Sequence, residues 1–178
     1  MKKTFLLILL LVNIITGFSQ ELIKEAKLSL DLPNDKWELK GKQDKNGMQV
    51  YFFKRESIKD KLGRDVIPNI SVVVEDVNKK LDVITYSALK RGQVNFEVDK
   101  VFIHDKGLFD FKNAIGYKGR YTDQFGEHTV YVLHAINNKK GLQIFFDVLT
   151  GLFEDLDAEF KYTLKSLLNY TSNIHTYI

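Results

Sequence analysis

The side chains of this chain best suited to proton or metal chemistry are its four histidines, His104, His128, His134 and His175; it has no cysteine. Metal ligands must converge on one point within a few ångströms. His128 and His134 share strand parity, so both face one side, but six residues of strand hold them roughly 20 Å apart. They cannot chelate one ion, and the plain reading is two half-exposed strand histidines. His175 lies in a polar tail. Serines and aspartates are present, but no Gly-x-Ser-x-Gly elbow presents a nucleophile. Gly116 and Gly119 flank Tyr117-Lys118 without opening a helix, so no phosphate cradle is implied. Gly119 reads instead as a bulge or a close packing point in a strand. Glu154, Asp155 and Asp157 resemble an acid–base set, yet acids near a helix N-terminus are ordinary partners of its dipole. The residues assign no catalytic, cofactor-binding or metal-binding position.

Two features suit binding. One is the charged loop Lys54, Arg55, Glu56, Lys59, Asp60, Lys61, Arg64 and Asp65. Its alternating signs fit a specific protein surface better than a polyanion, and Arg55 and Arg64 are its candidate contacts. The other is Lys118 and Arg120, cations of like parity beside Tyr117 and Tyr121. Such a strand face can grip an anionic ligand or partner, and it is equally the charge that protects a sheet edge.

The N-terminus says where these groups work. Lys2 and Lys3 precede an apolar run, Phe5 to Ile15, interrupted by Asn13, and Gly17-Phe18-Ser19 offers small residues for a signal peptidase. Residues 1–19 read as a signal peptide cleaved before Gln20. The run is shorter than the roughly 20 residues a membrane span needs. Without cysteine there is no disulfide and no lipoprotein anchor, so the expectation is a soluble protein exported by the Sec route to a periplasm or the exterior, with no stable membrane anchor. Of 26 Lys and Arg set against 23 Asp and Glu, two are the leader lysines, which lowers the formal charge from +3 to +1. That near-neutral balance argues against a nucleic-acid partner.

The positioning elements follow from pattern. Residues 20–27 read as a polar extension that frays, residues 28–170 as a single domain and residues 171–178 as a tail. Strands are expected at Leu28–Leu32, at Trp37–Lys42 and Met48–Glu56 around an Asn46-Gly47 hairpin turn, at Ile67–Val77, and in four later runs from Val98 to Thr150. A helix over 81–96, capped by Asp82, turns Ile84, Ala88 and Leu89 inward. A second helix carries the stripe Phe153, Leu156, Phe160, Leu164 and Leu167. Tyr51-Phe52-Phe53, Val72-Val73-Val74 and Ile144-Phe145-Phe146 are apolar on successive residues, which demands cover on both faces of the sheet. The fold class is therefore α+β, an antiparallel β-sheet flanked by a helix on each side.

This order resembles the PsbP-like family, which includes the photosystem II extrinsic protein, the Mog-type Ran-binding proteins and the DcrB-type lipoproteins. The resemblance runs from Leu28 to Leu168. It rests on Leu30-Asp31-Leu32-Pro33 followed by Trp37, Val50-Tyr51-Phe52 on a hairpin, and Ile70-Ser71-Val72-Val73-Val74 before a helix bearing Tyr86. Ala114-Ile115-Gly116-Tyr117, Tyr131-Val132-Leu133, Leu142 to Phe146 and a closing helix with Phe160 and Ser166 complete it. It implies an α/β/α sandwich and an accessory or docking role without a catalytic motif.

The function expected is non-enzymatic binding or assembly with another envelope or secreted protein, without a cofactor. The alternatives are a carrier of a small apolar ligand in a pocket between sheet and helix, and a hydrolase with a dispersed site. A pocket holding His104 or His134 beside a carboxylate favours the hydrolase. Two closed sheet faces favour docking, and one open concavity favours a carrier.

Overall fold

A computed structural model describes residues 19–104 and 107–169. Residues 1–18 of the expected leader, residues 105–106 and residues 170–178, with His175 and the expected tail, lie outside the described residues. In chain order the elements are β1 (Gln20–Ile23), a 3-10 turn (Lys24–Ala26), β2 (Leu28–Asp31), β3 (Trp37–Lys45), β4 (Met48–Arg55), β5 (Ile58–Lys59), β6 (Asp65–Val66) and β7 (Asn69–Asp76). Then follow α1 (Val83–Arg91), β8 (Glu97–Ile103), β9 (Ala114–Asp123), β10 (Gly126–Asn137), β11 (Lys140–Leu149), α2 (Thr150–Lys165) and β12 (Leu168–Asn169).

Seven strands form an antiparallel sheet in the order β3-β4-β7-β11-β10-β9-β8. The β3–β4 turn is the expected one: Asn46 and Gly47 both take positive φ, +54° and +76°, as a two-residue hairpin turn demands. Cross-strand register sorts the side chains into rows. Tyr51, Val72, Ile144, Leu133, Gly116 and Phe102 face one side. The next row, Phe52, Ser71, Phe145, Val132, Tyr117 and Val101, faces the other.

The first side is closed over its central strands, with a groove of about 510 Å³ left between α2 and Phe102 and Leu108. α2 lays Phe153, Leu156, Phe160 and Leu164 across those strands, all at most 2 % exposed, and burial of each such side chain contributes roughly 1.5–3 kcal/mol. Beside α2 sits a small sheet of order β1-β2-β12. Residues 20–27 therefore do not fray: β1 pairs with β2, and Ile23 and Ala26 are fully buried. Ile23 and Ala26, with partly buried Leu22, anchor an otherwise polar stretch. α2 begins at Thr150, so the acids expected to meet its dipole stand beyond the first turn. There Asp157 accepts from Tyr131 Oη at 2.7 Å and from Lys161 Nζ at 2.5 Å.

The second side is covered by α1 mainly over β10 and β9 and over the Glu75 and Gly141 ends of β7 and β11. Asp82 caps α1 as expected, its carboxylate accepting the Thr85 amide at 2.9 Å. The inward face is not the expected one. Ile84 and Leu89 are 69 % and 58 % exposed and Ala88 is exposed, whereas Tyr86 and Ser87 are buried. Tertiary partners decide this. The Tyr86 ring fills the space above Gly141, where a Cβ would lie 2.6 Å from it, and its hydroxyl donates to Glu75 at 2.7 Å. Ser87 meets Tyr117 Oη at 2.6 Å and His134 Nδ1 at 2.9 Å.

Candidate functional site

The uncovered part of the second face forms a groove of about 260 Å³. Its floor comes from three central strands. Asn69 and Ser71 of β7 stand opposite Asp147 and Phe145 of β11, which stand opposite Val130 and Val132 of β10. Its wall is the segment after α1, Val94 to Phe96, with Tyr121 of β9 at one end. That wall is held from behind: Arg91 donates to the carbonyls of Val94 at 2.9 Å and Phe96 at 2.6 Å, and its guanidinium lies 4.2 Å from the centre of the Phe96 ring. Gly119 lets Phe96 approach the sheet, because a Cβ there would fall 2.2 Å from the Glu97 carbonyl and 2.4 Å from the Phe96 ring. The close-packing reading of Gly119 describes this contact.

The acid of the groove is Asp147. Tyr121 Oη donates to its Oδ2 at 2.7 Å, and His128 Nδ1 lies 2.9 Å from its Oδ1. A carboxylate only accepts, so His128 carries its proton on Nδ1 in this contact. The Tyr121 and His128 rings stack at 4.8 Å, and His128 Nε2 lies 3.3 Å from Asp123. Burial and the neighbouring Asp147 charge push the Tyr121 phenol well above its ordinary range, so it remains a donor. Asn69 and Ser71 make no side-chain hydrogen bond among the described residues. Two polar groups in the floor thus face the groove unpaired.

The histidines settle differently from the sequence expectation. His128 and His134 do share a face, but His134 is 0 % exposed, not half-exposed. Burial, reinforced by the charges of Lys90 and Arg91, pulls its pKa down to about 4, so it is neutral near pH 7. Its contact with Ser87 is a Ser–His pair closed to substrate, since Ser87 is 1 % exposed. The carboxylate in the groove stands beside His128, not beside His104 or His134. Among the described residues, no group of three or more His, Asp or Glu side chains is placed to hold a metal ion.

The four expected partner-binding cations do not converge. Arg55 is 9 % exposed and turns inward, its Nε and Nη2 donating to Glu159 of α2 at 3.0 and 3.2 Å. Trp37 Nε1 and Asn34 Nδ2 donate to the same carboxylate at 2.6 and 3.1 Å. Arg55 is thus a brace between β4 and α2, because a carboxylate on the packed helix outcompetes solvent for it. Arg64 does sit on an exposed tip, between β5 and β6, with its Nε 2.7 Å from Asp60. Lys118 and Arg120 share parity, but alternation sends them to the α2 side, while Tyr117 and Tyr121 face the α1 side. Lys118 lies 4.1 Å from the centre of the Phe153 ring, and Arg120 donates to Asp99 at 2.9–3.2 Å. β9 is an interior strand with β8 outside it, so these cations guard no edge.

By sequence, no family model and no curated protein matches the chain. Solved structures do match in shape. A Pseudomonas aeruginosa protein of unknown function superposes with a TM-score of 0.53 at 12 % identity, over 85 % of this chain and 96 % of that one. The cyanobacterial PsbP of Synechocystis sp. PCC 6803 superposes with a TM-score of 0.52 at 12 % identity, over 88 % of this chain and 94 % of its own. The fold is PsbP-like. The resemblance drawn from strand order and from the Trp37, Tyr86 and Phe160 positions thus describes the architecture, with the seven-stranded sheet between α1 and α2. Within this PsbP-like fold, sequence reasoning missed the groove. Its signal was the alternation Asn69-Ile70-Ser71-Val72, where Ile70 and Val72 are fully buried and the polar pair must face the other way.

Proposed function

We propose that the chain is an exported, non-enzymatic accessory protein that acts by binding, and that the open part of the α1-side sheet face is its binding surface. The observation that carries this is the unequal closure of the sheet, whose open concavity favours a bound ligand over docking through two closed faces. α2 and the β1-β2-β12 sheet bury the central rows of one face, while the central rows of the other stay open in a groove with Asn69 and Ser71 unpaired. A face with no binding role gains stability by covering Phe52, Phe145 and Val73, all of which stay partly exposed. The PsbP-like architecture supports an accessory role, and the closed Ser87–His134 pair supports a non-catalytic one. The leader supports export by the Sec route to a periplasm or the exterior. No helix among the described residues is long and apolar enough to cross a membrane.

The test is a photo-crosslinking residue placed at Phe52 or Ser71, with exposed Asp155 of α2 as control. Adducts formed in the cell envelope are read by mass spectrometry, which registers a protein, a glycan or a small molecule alike. The expected result is a discrete adduct from positions 52 and 71 and none from 155. No adduct, or equal labelling at all three, overturns the proposal.

A further inference from the structure

The groove's donors and acceptors specify a ligand class, an inference that rests on the binding reading above. Asp147 supplies acceptors only, and with one protein donor on each oxygen it keeps a free lone pair on both. Tyr121 spends its proton on Asp147 and leaves its oxygen as an acceptor. Ser71 both donates and accepts, and Asn69 supplies two donors and an acceptor, all unpaired within the described protein. Around these polar atoms stand Phe145, Phe96, Val130 and Val132. No lysine or arginine lines the space.

Each ligand class can be weighed against that arrangement. An anion meets the Asp147 carboxylate, and the cation of that row, Lys54 opposite Asn69, does not line the space. A simple ammonium satisfies Asp147 but leaves the Asn69 and Ser71 donors facing a group that cannot accept. An alkyl chain desolvates the polar side chains of the groove, Asn95 of the wall included, and returns no hydrogen bond, at about 1–3 kcal/mol for each group left unpaired. A neutral molecule whose every polar atom both donates and accepts, and which also has an apolar face, satisfies all of them. A sugar ring is such a molecule: its hydroxyls match the mixed row, and its C–H face lies against an aromatic ring. The size agrees, since about 260 Å³ falls just below the roughly 300 Å³ lower bound of typical small-molecule sites and holds one ring, not a chain of them.

We propose that the groove between Val94–Phe96 and strands β7, β11 and β10 binds a neutral sugar residue, with Asn69, Ser71, Asp147 and Tyr121 hydrogen-bonding its hydroxyls and Phe145 and Phe96 contacting its ring. The test is an NMR amide titration of the purified, processed chain with glucose, galactose, mannose and N-acetylglucosamine in turn. Tetramethylammonium and decanoate are run as the cationic and apolar rivals. The expected result is a saturable shift for at least one sugar, confined to the groove. Asn69→Ala and Ser71→Val each weaken it about five- to tenfold, with Tm unchanged because neither side chain bonds within the described fold. Four outcomes overturn the proposal: no saturable shift with any sugar, shifts centred away from the groove, unchanged affinity in both variants, or saturation by a rival alone. If crosslinking still labels positions 52 and 71 when the sugars fail, the binding surface stands and only the ligand class falls.

Discussion

Arg55 and Arg64 look alike in the sequence, nine residues apart in one charged stretch, and the structure gives them opposite roles. Arg55 is sealed against Glu159, whose carboxyl is held below its ordinary range: burial opposes ionisation, but hydrogen bonds from Arg55 and Trp37 outweigh it. Arg55→Ala leaves that carboxylate buried without its cation and is expected to cost roughly 3 kcal/mol in urea unfolding. Arg64→Ala, on the exposed tip, is expected to stay within about 0.5 kcal/mol. If the two variants unfold alike, the brace is wrong. His134 sets a pH dependence. Its folded pKa of about 4 lies below the ordinary 6.5, so the folded protein binds fewer protons than the unfolded one. Its contribution to stability is complete above pH 6.5 and is lost as pH falls toward 4. His134→Gln should flatten that slope in Tm measured across the window. Glu25 acts lower: burial raises its pKa, but hydrogen bonds from Lys42 and Tyr51 win and hold it at about 2. Its share is present above about pH 4.5 and lost toward pH 2, so Glu25→Gln leaves the upper slope intact.

Among the elements, β1 and α1 depart furthest from the sequence reading, and both for reasons of packing. β1 has four residues, and only Ile23 of them is buried, which composition alone reads as solvent-facing chain. Its value comes from the place where Ile23 lands. Ile23→Ala is expected to destabilise by roughly 3 kcal/mol, measured by chemical unfolding; a loss under about 0.5 kcal/mol means β1 does not belong to the core. α1 has a weakly amphipathic sequence, so propensity could not choose its face, and the hydrogen bonds of Tyr86 and Ser87 did. α2, whose apolar stripe is continuous, was legible throughout. Gly119 links an element to the groove wall. Gly119→Ala must push against the Glu97 carbonyl at 2.2 Å, so about 1–3 kcal/mol is expected from overpacking. The groove wall should move with it, seen as amide shifts at Val94 and Phe96; their absence separates Gly119 from the wall.

For the molecule as a whole, the leader predicts an address and the sheet predicts a surface. N-terminal sequencing of the protein recovered from an envelope or culture fraction is expected to begin at Gln20, and retention of the full leader in the cytoplasm contradicts export. The sequence by itself determined the antiparallel sheet, its hairpin at Asn46-Gly47, the α2 stripe and the need for cover on both faces. These rest on periodicity and turn chemistry, which are local and survive in one dimension. Only the tertiary structure decided that the central strands would be covered on one side and left partly open on the other. Only it decided that Arg55 turns inward, that Lys118 and Tyr117 part company across the sheet, and that Asn69, Ser71, Phe145, Asp147 and Tyr121 meet. Those residues lie up to 78 positions apart and are joined by strand register alone. Register is set by the sum of many weak cross-strand contacts and is carried by no single motif, so the groove becomes visible only when the strands are laid side by side.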